Sequence, residues 1–253
     1  MTTQRRIMKE LMDAKNGICK ESGVEIALEE NDIHRVHFLF PGPTGTPFEG
    51  GYYHGLIVLN NDHPFKPASI HMITETGRFN TIQYEIGGPL YGSGICVAGI
   101  TAYHPEMHSA MTTISTMISS FTSYMVDLKD HGVGTIVTSI PVMKEKAKNS
   151  LKNLINDNVV KQLFPDIHKQ LVEGTFVVPN LDELAQSYRK NNSTIPVQKD
   201  IQISDSDDSS SEDEKPKKTP IRRKPVQKKK PIQKKKVIES SSDDSSEDEI
   251  PIK

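Results

Sequence analysis

Apolar positions along the first two hundred residues change their period several times, and each change marks an element. In "TTQRRIMKELMDAKN" (2–16), Ile7, Met8, Leu11, Met12 and Ala14 recur at helical spacing on one side, with Thr2 or Thr3 placed to cap the start. The period then drops to two. In "VEIALE" (24–29), Val24, Ile26 and Leu28 face opposite Glu25, Ala27 and Glu29, and in "HRVHFLF" (34–40), Val36, Phe38 and Phe40 face one way. "YYHGLIVLN" (52–60) and "ASIHMIT" (68–74) read as two more strands. The Gly- and Pro-dense "PGPTGTPFEGG" (41–51) suits neither helix nor inner strand and reads as a turn. A helix returns at 113–126, where Ile114, Met117, Ile118, Phe121 and Met125 share a face; weaker patterns cover 142–172, broken at Pro165, and 181–190. The order predicts an α+β fold: an N-terminal helix, a four-stranded antiparallel meander covered on one side, and C-terminal helices.

Beyond these elements the character of the chain changes. "SDDSSSEDE" (206–214) recurs as "SSDDSSEDE" (241–249), and between them the repeat "PVQKKKPIQKKK" (225–236) sits in a stretch with 12 Lys/Arg and no acid between Lys215 and Lys236. Such composition lacks the apolar surface that offsets an ordering cost of about 1–2 kcal/mol per residue, so 197–253 is expected to be a disordered tail. The chain thus divides into a domain at 1–172, a partly helical extension at 173–196, and the tail. From Ile201 onward there are 13 Lys/Arg and 12 Asp/Glu, leaving 18 and 21 for residues 1–200, a mildly acidic balance that argues against a nucleic-acid-binding core. The tail admits several readings: nucleic acid held by counterion release, a nuclear import address, or blocks that associate with one another or serve only solubility. Ser206 and Ser242, each followed by acidic residues, suit acid-directed kinases.

Two cysteines in 253 residues give no disulfide framework and no zinc-type spacing. With no secretory signal and no apolar run near the ~18–20 residues that span a bilayer, the expectation is an intracellular protein, cytoplasmic or nuclear, without a membrane anchor. One cysteine, Cys96, lies among small and apolar residues in "YGSGICVAGI" (91–100), and taken alone it is a buried filler as readily as a nucleophile.

The run "FPGPTGTPFEGGYYHGLIVLNNDHPFKPASIHMIT" (40–74) resembles the signature of ubiquitin-conjugating enzymes: a Gly-Pro-x-Gly-Thr-Pro-Phe-Glu-Gly-Gly turn, a strand, and a His-Pro-Phe-Lys-Pro corner. "GRF", "GICVAGITAYHPE" and "AKNSLKNLINDNVVKQLFPDI" (147–167) resemble the branch of that family that includes members anchored in the endoplasmic reticulum, though this tail does not continue into an apolar anchor. The resemblance covers about residues 3–170. It implies the family's α+β fold and places Cys96 at the catalytic cysteine, which accepts ubiquitin from an activating enzyme as a thioester and yields it to a substrate lysine. A thiol suits that work, being a strong nucleophile and a good leaving group. Glycines 92, 94 and 99 would let another protein's C-terminal tail approach the backbone. No bound cofactor or metal is implied, since ATP is consumed by the activating enzyme.

The resemblance also places partner surfaces. Phe65, after Pro64, matches the aromatic that ubiquitin ligases grip, and Arg5, Arg6 and Lys9 lie on the helix that meets the activating enzyme. Asp127, Asp130 and His131 are candidates for an acidic rim that guides the incoming lysine, solvated surface charge being the plainer account. Three departures stand out. Most members carry a His-Pro-Asn stretch before the cysteine, and the branch resembled here often has an Asn just before Gly-Arg-Phe; this chain has Thr76 there, leaving Thr76 or Asn80 to support the loop or the oxyanion. "NTIQYEIGGPLYGSG" (80–94) is longer than the family's spacing and reads as a tolerated surface insertion in preference to a flap beside the site. The family's tryptophans after the cysteine are missing, with His108 and Met111 near their places and Met able to repack a gap.

Other constellations are weaker. His104 and His108 are four apart, but Pro105 opposes a helical zinc pair, and a His104–Cys96 dyad has no third, orienting residue. Cys19, at the end of the first helix, reads as structural. Two rival readings stay open beside the enzyme: a non-catalytic ubiquitin-binding variant of the same fold, and a nucleic-acid or chromatin-binding protein acting through its basic tail.

Overall fold

The computed structural model describes residues 2–92 and 94–192. The expected tail, its basic block and both candidate phosphoserines lie outside the described residues.

Helix α1 (Thr3–Asn16) starts where Thr2 Oγ1 accepts from the Arg5 amide at 3.5 Å, and it buries Ile7, Glu10, Leu11 and Ala14. Met8 and Met12, expected on the buried side, are exposed instead. The buried stripe follows the i, i+4, i+7 row of Ile7, Leu11 and Ala14, and Glu10 takes the remaining place because Arg6 and His63 satisfy its carboxylate. The helix stops at Gly17, so Cys19 sits on a separate short helix, α2 (Ile18–Ser22), and not at the end of the first. Cys19 is half-buried against the core, and burial, followed by the charge of Glu25, pushes its thiol up to about 11.

Strands β1 (Glu25–Leu28), β2 (Arg35–Pro41), β3 (Tyr52–Val58) and β4 (Ser69–Met72) form an antiparallel sheet in sequence order, the expected meander. Val36 pairs with Ile57, and Phe38 with Gly55, whose bare Cα makes room for the ring: a Cβ there would stand 2.3 Å from Phe38 Cζ. On this face Phe38, Phe40, Ile57, Ile70 and Met72 are fully buried against α1 and α3 (Ile114–Val126), which Thr113 caps through the Thr116 amide at 3.3 Å. Phe121 of α3 meets Phe38, Phe40 and Phe79 with ring centroids 6.0, 5.9 and 5.1 Å away. Burying each such ring stabilises by about 1.5–3 kcal/mol.

The sheet is covered on its second face too, which corrects the expectation of one covered side. The pattern expected as one helix broken at Pro165 is three helices: α4 (Ile140–Ile155), α5 (Asn158–Leu163) and α6 (Pro165–Glu173). Asp157 makes the extra break, because its Oδ1 accepts from the Val159 and Val160 amides at 2.8 and 3.2 Å and so begins a new helix. Leu154, Val160, Phe164 and Leu171 of these helices close over Leu39 and Tyr52 of the sheet. A last helix, α7 (Leu181–Asn192), has neighbours on α2, with Pro179 and Leu184 against Gly23.

Beside that apolar patch the second face buries charge. His37 Nε2 lies 3.0 Å from Glu29 Oε1, His37 Nδ1 lies 2.9 Å from His54 Nε2, and His54 Nδ1 lies 2.6 Å from Asp157 Oδ2. Glu29, which the strand alternation placed on an open side, is buried. Burial, and then the neighbouring His54, lower His37 to about 4. Burial pushes the Asp157 carboxyl up, but its contacts with His54 and the two amides outweigh this and leave it below the usual range.

Residues 80–94 lie largely on the surface, as expected of an insertion, but they are tied down along the domain. Their ends lean on the free edge of β4, with Ile82 N on Met72 O at 2.9 Å and Ile95 N on Ile70 O at 2.8 Å. Their middle crosses to the second face. There Tyr84 donates to Glu29, the Gly87 amide donates to Glu29 Oε2 at 3.1 Å, and Arg35 Nη1 donates to Gly88 O at 2.8 Å and to Tyr84. Between this loop and the start of α5 lies a cavity of about 670 Å³ lined by Thr81, Gln83, Tyr84, Asn153, Asn156 and Asp157.

Candidate active site

Cys96 follows the β4-edge contact of Ile95 directly, and its own amide donates to Val133 O at 2.8 Å. It is thereby pinned between the sheet edge and the loop that leaves α3. The same loop is stitched to the Gly-Arg-Phe segment: Asn80 N donates to Gly134 O and Ile136 N to Arg78 O, both at 2.9 Å. Three separated stretches, 78–80, 95–96 and 132–136, thus meet through backbone hydrogen bonds. Gly134 is needed for this, since at φ +83° a Cβ would press to 2.9 Å from Ile95 Cα and 3.0 Å from Gly94 O.

The sulfur-bearing residue is half-buried, neither walled into the core nor fully solvated. Burial, and then the charge of Asp130, raise its thiol above the ordinary cysteine value. Thiolate is therefore scarce at neutral pH, but a thiolate of higher pKa is also intrinsically more nucleophilic. Acylation removes the ionisable thiol altogether, so a neighbouring carboxylate opposes the free thiolate without opposing a neutral acyl-sulfur.

The expected supports are placed differently. Thr76 is fully buried, and its Oγ1 accepts from the Arg78 amide at 3.0 Å and the Phe79 amide at 3.2 Å. It holds the turn into Gly-Arg-Phe, as a small polar residue does in a tight bend. Asn80 is exposed and enters the network through its backbone. Asp127 ends α3 and accepts from Lys129 N at 3.1 Å, while Asp130 Oδ1 accepts from Gly132 N at 2.9 Å and from Tyr124 Oη at 3.3 Å. His131 is exposed beside them. Of these groups Asp130 is the one whose charge raises the Cys96 thiol.

The other expected residues lie apart from this centre. Phe65 is 79% exposed at a corner where His108 Nε2 donates to Pro64 O at 2.9 Å. Arg5 and Lys9 are exposed on α1, but Arg6 turns inward onto Glu10. His104 Nδ1 faces Glu106 at 3.3 Å, and Met111 is 81% exposed, so it repacks no gap in the core. Sequence reasoning missed Gly132, Val133, Gly134, Arg78 and Tyr124. The paired glycines of "HGVGT" (131–135), spaced by one residue just after a helix, were the available signal.

Comparison with known proteins gives four matches. The family model described as ubiquitin-conjugating enzyme matches residues 6–127. A probable ubiquitin-conjugating enzyme E2 of Acanthamoeba polyphaga mimivirus is 42% identical over 182 residues, 72% of this chain and 46% of that protein. The ubiquitin-conjugating enzyme E2 J2 of Mus musculus is 36% identical over 141 residues, 56% of this chain and 50% of that protein. The chain spans about half the length of these curated relatives. Among solved structures, the E2 domain of a Toxoplasma gondii ubiquitin-conjugating enzyme is 26% identical with a TM-score of 0.41, covering 57% of this chain and 94% of that one. No described helix is long and apolar enough to cross a membrane.

Proposed function

Through residues 6–127 the chain belongs to the ubiquitin-conjugating enzyme family, and from that premise we propose that it carries ubiquitin, or a ubiquitin-like protein, as a thioester on Cys96 and passes it to a lysine. The observation that carries this reading is a half-buried cysteine fixed by its backbone between the β4 edge and the glycine loop at 132–134. That arrangement fixes the backbone that carries the sulfur while the residue stays partly exposed. Position matters more than ionisation here, because one thioester is exchanged for another of nearly equal energy.

In the first step Cys96 loses its proton to solvent and Sγ attacks the carbonyl carbon of the donor thioester. The new C–S bond forms as the old one breaks, and the electron pair leaves on the donor's sulfur, which takes up a proton. In the second step a neutral lysine amine attacks the same carbon. The C–N bond forms, the C–S bond breaks toward Sγ, and the proton shed by nitrogen restores the thiol. The exposed Arg5 and Lys9 on α1 serve the activating enzyme, and Phe65 serves a ligase.

The test is incubation of the full chain with ubiquitin, ATP and activating enzyme. A thiol-reducible adduct is expected on the wild type and none on Cys96→Ala. An unreactive wild type would leave the non-catalytic, ubiquitin-binding reading in its place.

A further inference from the structure

Arg78 poses a question that the thioester reading leaves unanswered. Its side chain is among the largest fully buried ones, and its guanidinium donates to two backbone carbonyls instead of a carboxylate. Nη2 reaches Asp127 O at 2.8 Å and Asp130 O at 2.6 Å, while Cζ lies 5.2 Å from the Phe79 ring centroid and 5.3 Å from that of Tyr124. Burying a cation on carbonyls and ring faces costs free energy that an apolar side chain would avoid. What this cation fixes is the loop from 127 to 130 and the face of Tyr124 together.

Tyr124 in turn donates to Asp130 Oδ1, which also accepts from the Gly132 amide. The three groups converge on Gly132. A Cβ at that position would stand 2.9 Å from Tyr124 Oη, 3.5 Å from Asp130 Oδ1 and 3.6 Å from Cys96 Cβ. Phenol, carboxylate and cysteine therefore surround one bare α-carbon, and glycine there leaves the space open.

We propose that Tyr124, braced by Arg78, is a positioning residue that aims the Asp130 carboxylate at the side of Cys96 where a charged amine arrives. This deepens the proposed thioester function and rests on it. Lysine reaches the site as an ammonium, which the carboxylate gathers and holds until the proton is lost to water. An amine that is already neutral has no use for that step. Tyr124 acts through Asp130 and touches no reacting atom.

The closing experiment uses preformed Cys96 thioester, isolated from the activating enzyme, and follows its discharge to free lysine and to hydroxylamine, which is uncharged at neutral pH. Tyr124→Phe removes only the hydroxyl and keeps the ring under Arg78. It is expected to lower the lysine-to-hydroxylamine rate ratio by about 2–10-fold, with the larger share in the KM for lysine. Asp130→Asn is expected to lower the same ratio by about 10–100-fold. A ratio unchanged in Tyr124→Phe, or both nucleophiles slowed alike, overturns the inference while leaving the thioester reading intact. No thioester on the wild type overturns the reading itself and this inference with it.

Discussion

On one face of the sheet Phe38, Phe40, Ile57 and Met72 meet Phe121 and Met117 of α3 in a dry, largely aromatic layer; on the other, Glu29, His37, His54 and Asp157 are buried as a chain of proton-sharing contacts. The dry face fixes α3, and the end of α3 delivers Tyr124 and the glycine loop to Cys96. The polar face fixes two later additions, the 80–94 loop through Glu29 and helix α5 through Asp157. Shape-filling contacts tolerate any pH but not a change of volume. Buried ionisable contacts give one register of docking, and their strength depends on proton supply. The site is thus held mainly by apolar packing, with one acid-sensitive contact, the Glu10 carboxylate that accepts from Ile114 N at 3.1 Å at the start of α3.

The sharpest way to break this contrast is Phe121→Ala. It opens a cavity among three rings and is expected to cost about 3–5 kcal/mol, by an amount that does not change between pH 8 and pH 5. Urea unfolding at both pH values checks it, and a strongly pH-dependent loss would mean that the two faces are not separable.

Next in size is acid itself. Burial lowers His71, on the polar face, to about 4, against an ordinary value of 6.5. Between those values the unfolded chain binds a proton that the folded chain refuses. Stability is therefore full above about pH 6.5 and falls as the pH drops toward 4; His37 has the same sign, and the depressed Asp157 carboxyl adds a loss below its ordinary 3.8. From pH 7 to pH 5 the unfolding free energy should drop by roughly 2 kcal/mol for His71 alone. His71→Gln should flatten that part of the profile.

The smallest expected effect is Tyr84→Phe. It removes one donor to Glu29 and is expected to cost about 1 kcal/mol. Limited proteolysis should then cut within 80–94 faster while Cys96 loading stays at the wild-type rate; a matching loss of loading would place the loop in the site after all.

The dry face was legible in sequence because alternation at Val36, Phe38 and Phe40 and the helical row from Ile114 to Met125 each record a period directly. Cys96 was legible only through the long motif at 40–74, since a lone cysteine among glycines looks the same as filler. Glu29 was misplaced for a physical reason. Alternation says which residues share a side of a strand, not whether some distant segment will cover that side, and the cover here comes from residues 80–94 and 140–173. The break before α5 hid because Asp157 has two tasks, capping a helix and closing the histidine chain. The loop stitch at Gly132 and Gly134 is made by backbone atoms, which sequence does not distinguish from one residue to the next.

The central claim is that the acyl group rests on the side chain at position 96, and locating that group tests it most directly. Cys96→Ser, treated with ubiquitin, ATP and activating enzyme, should form an adduct that resists thiols, breaks in alkali and maps by peptide mass spectrometry to the substituted position. An adduct mapping to any other residue, or one formed undiminished by Cys96→Ala, would contradict the account.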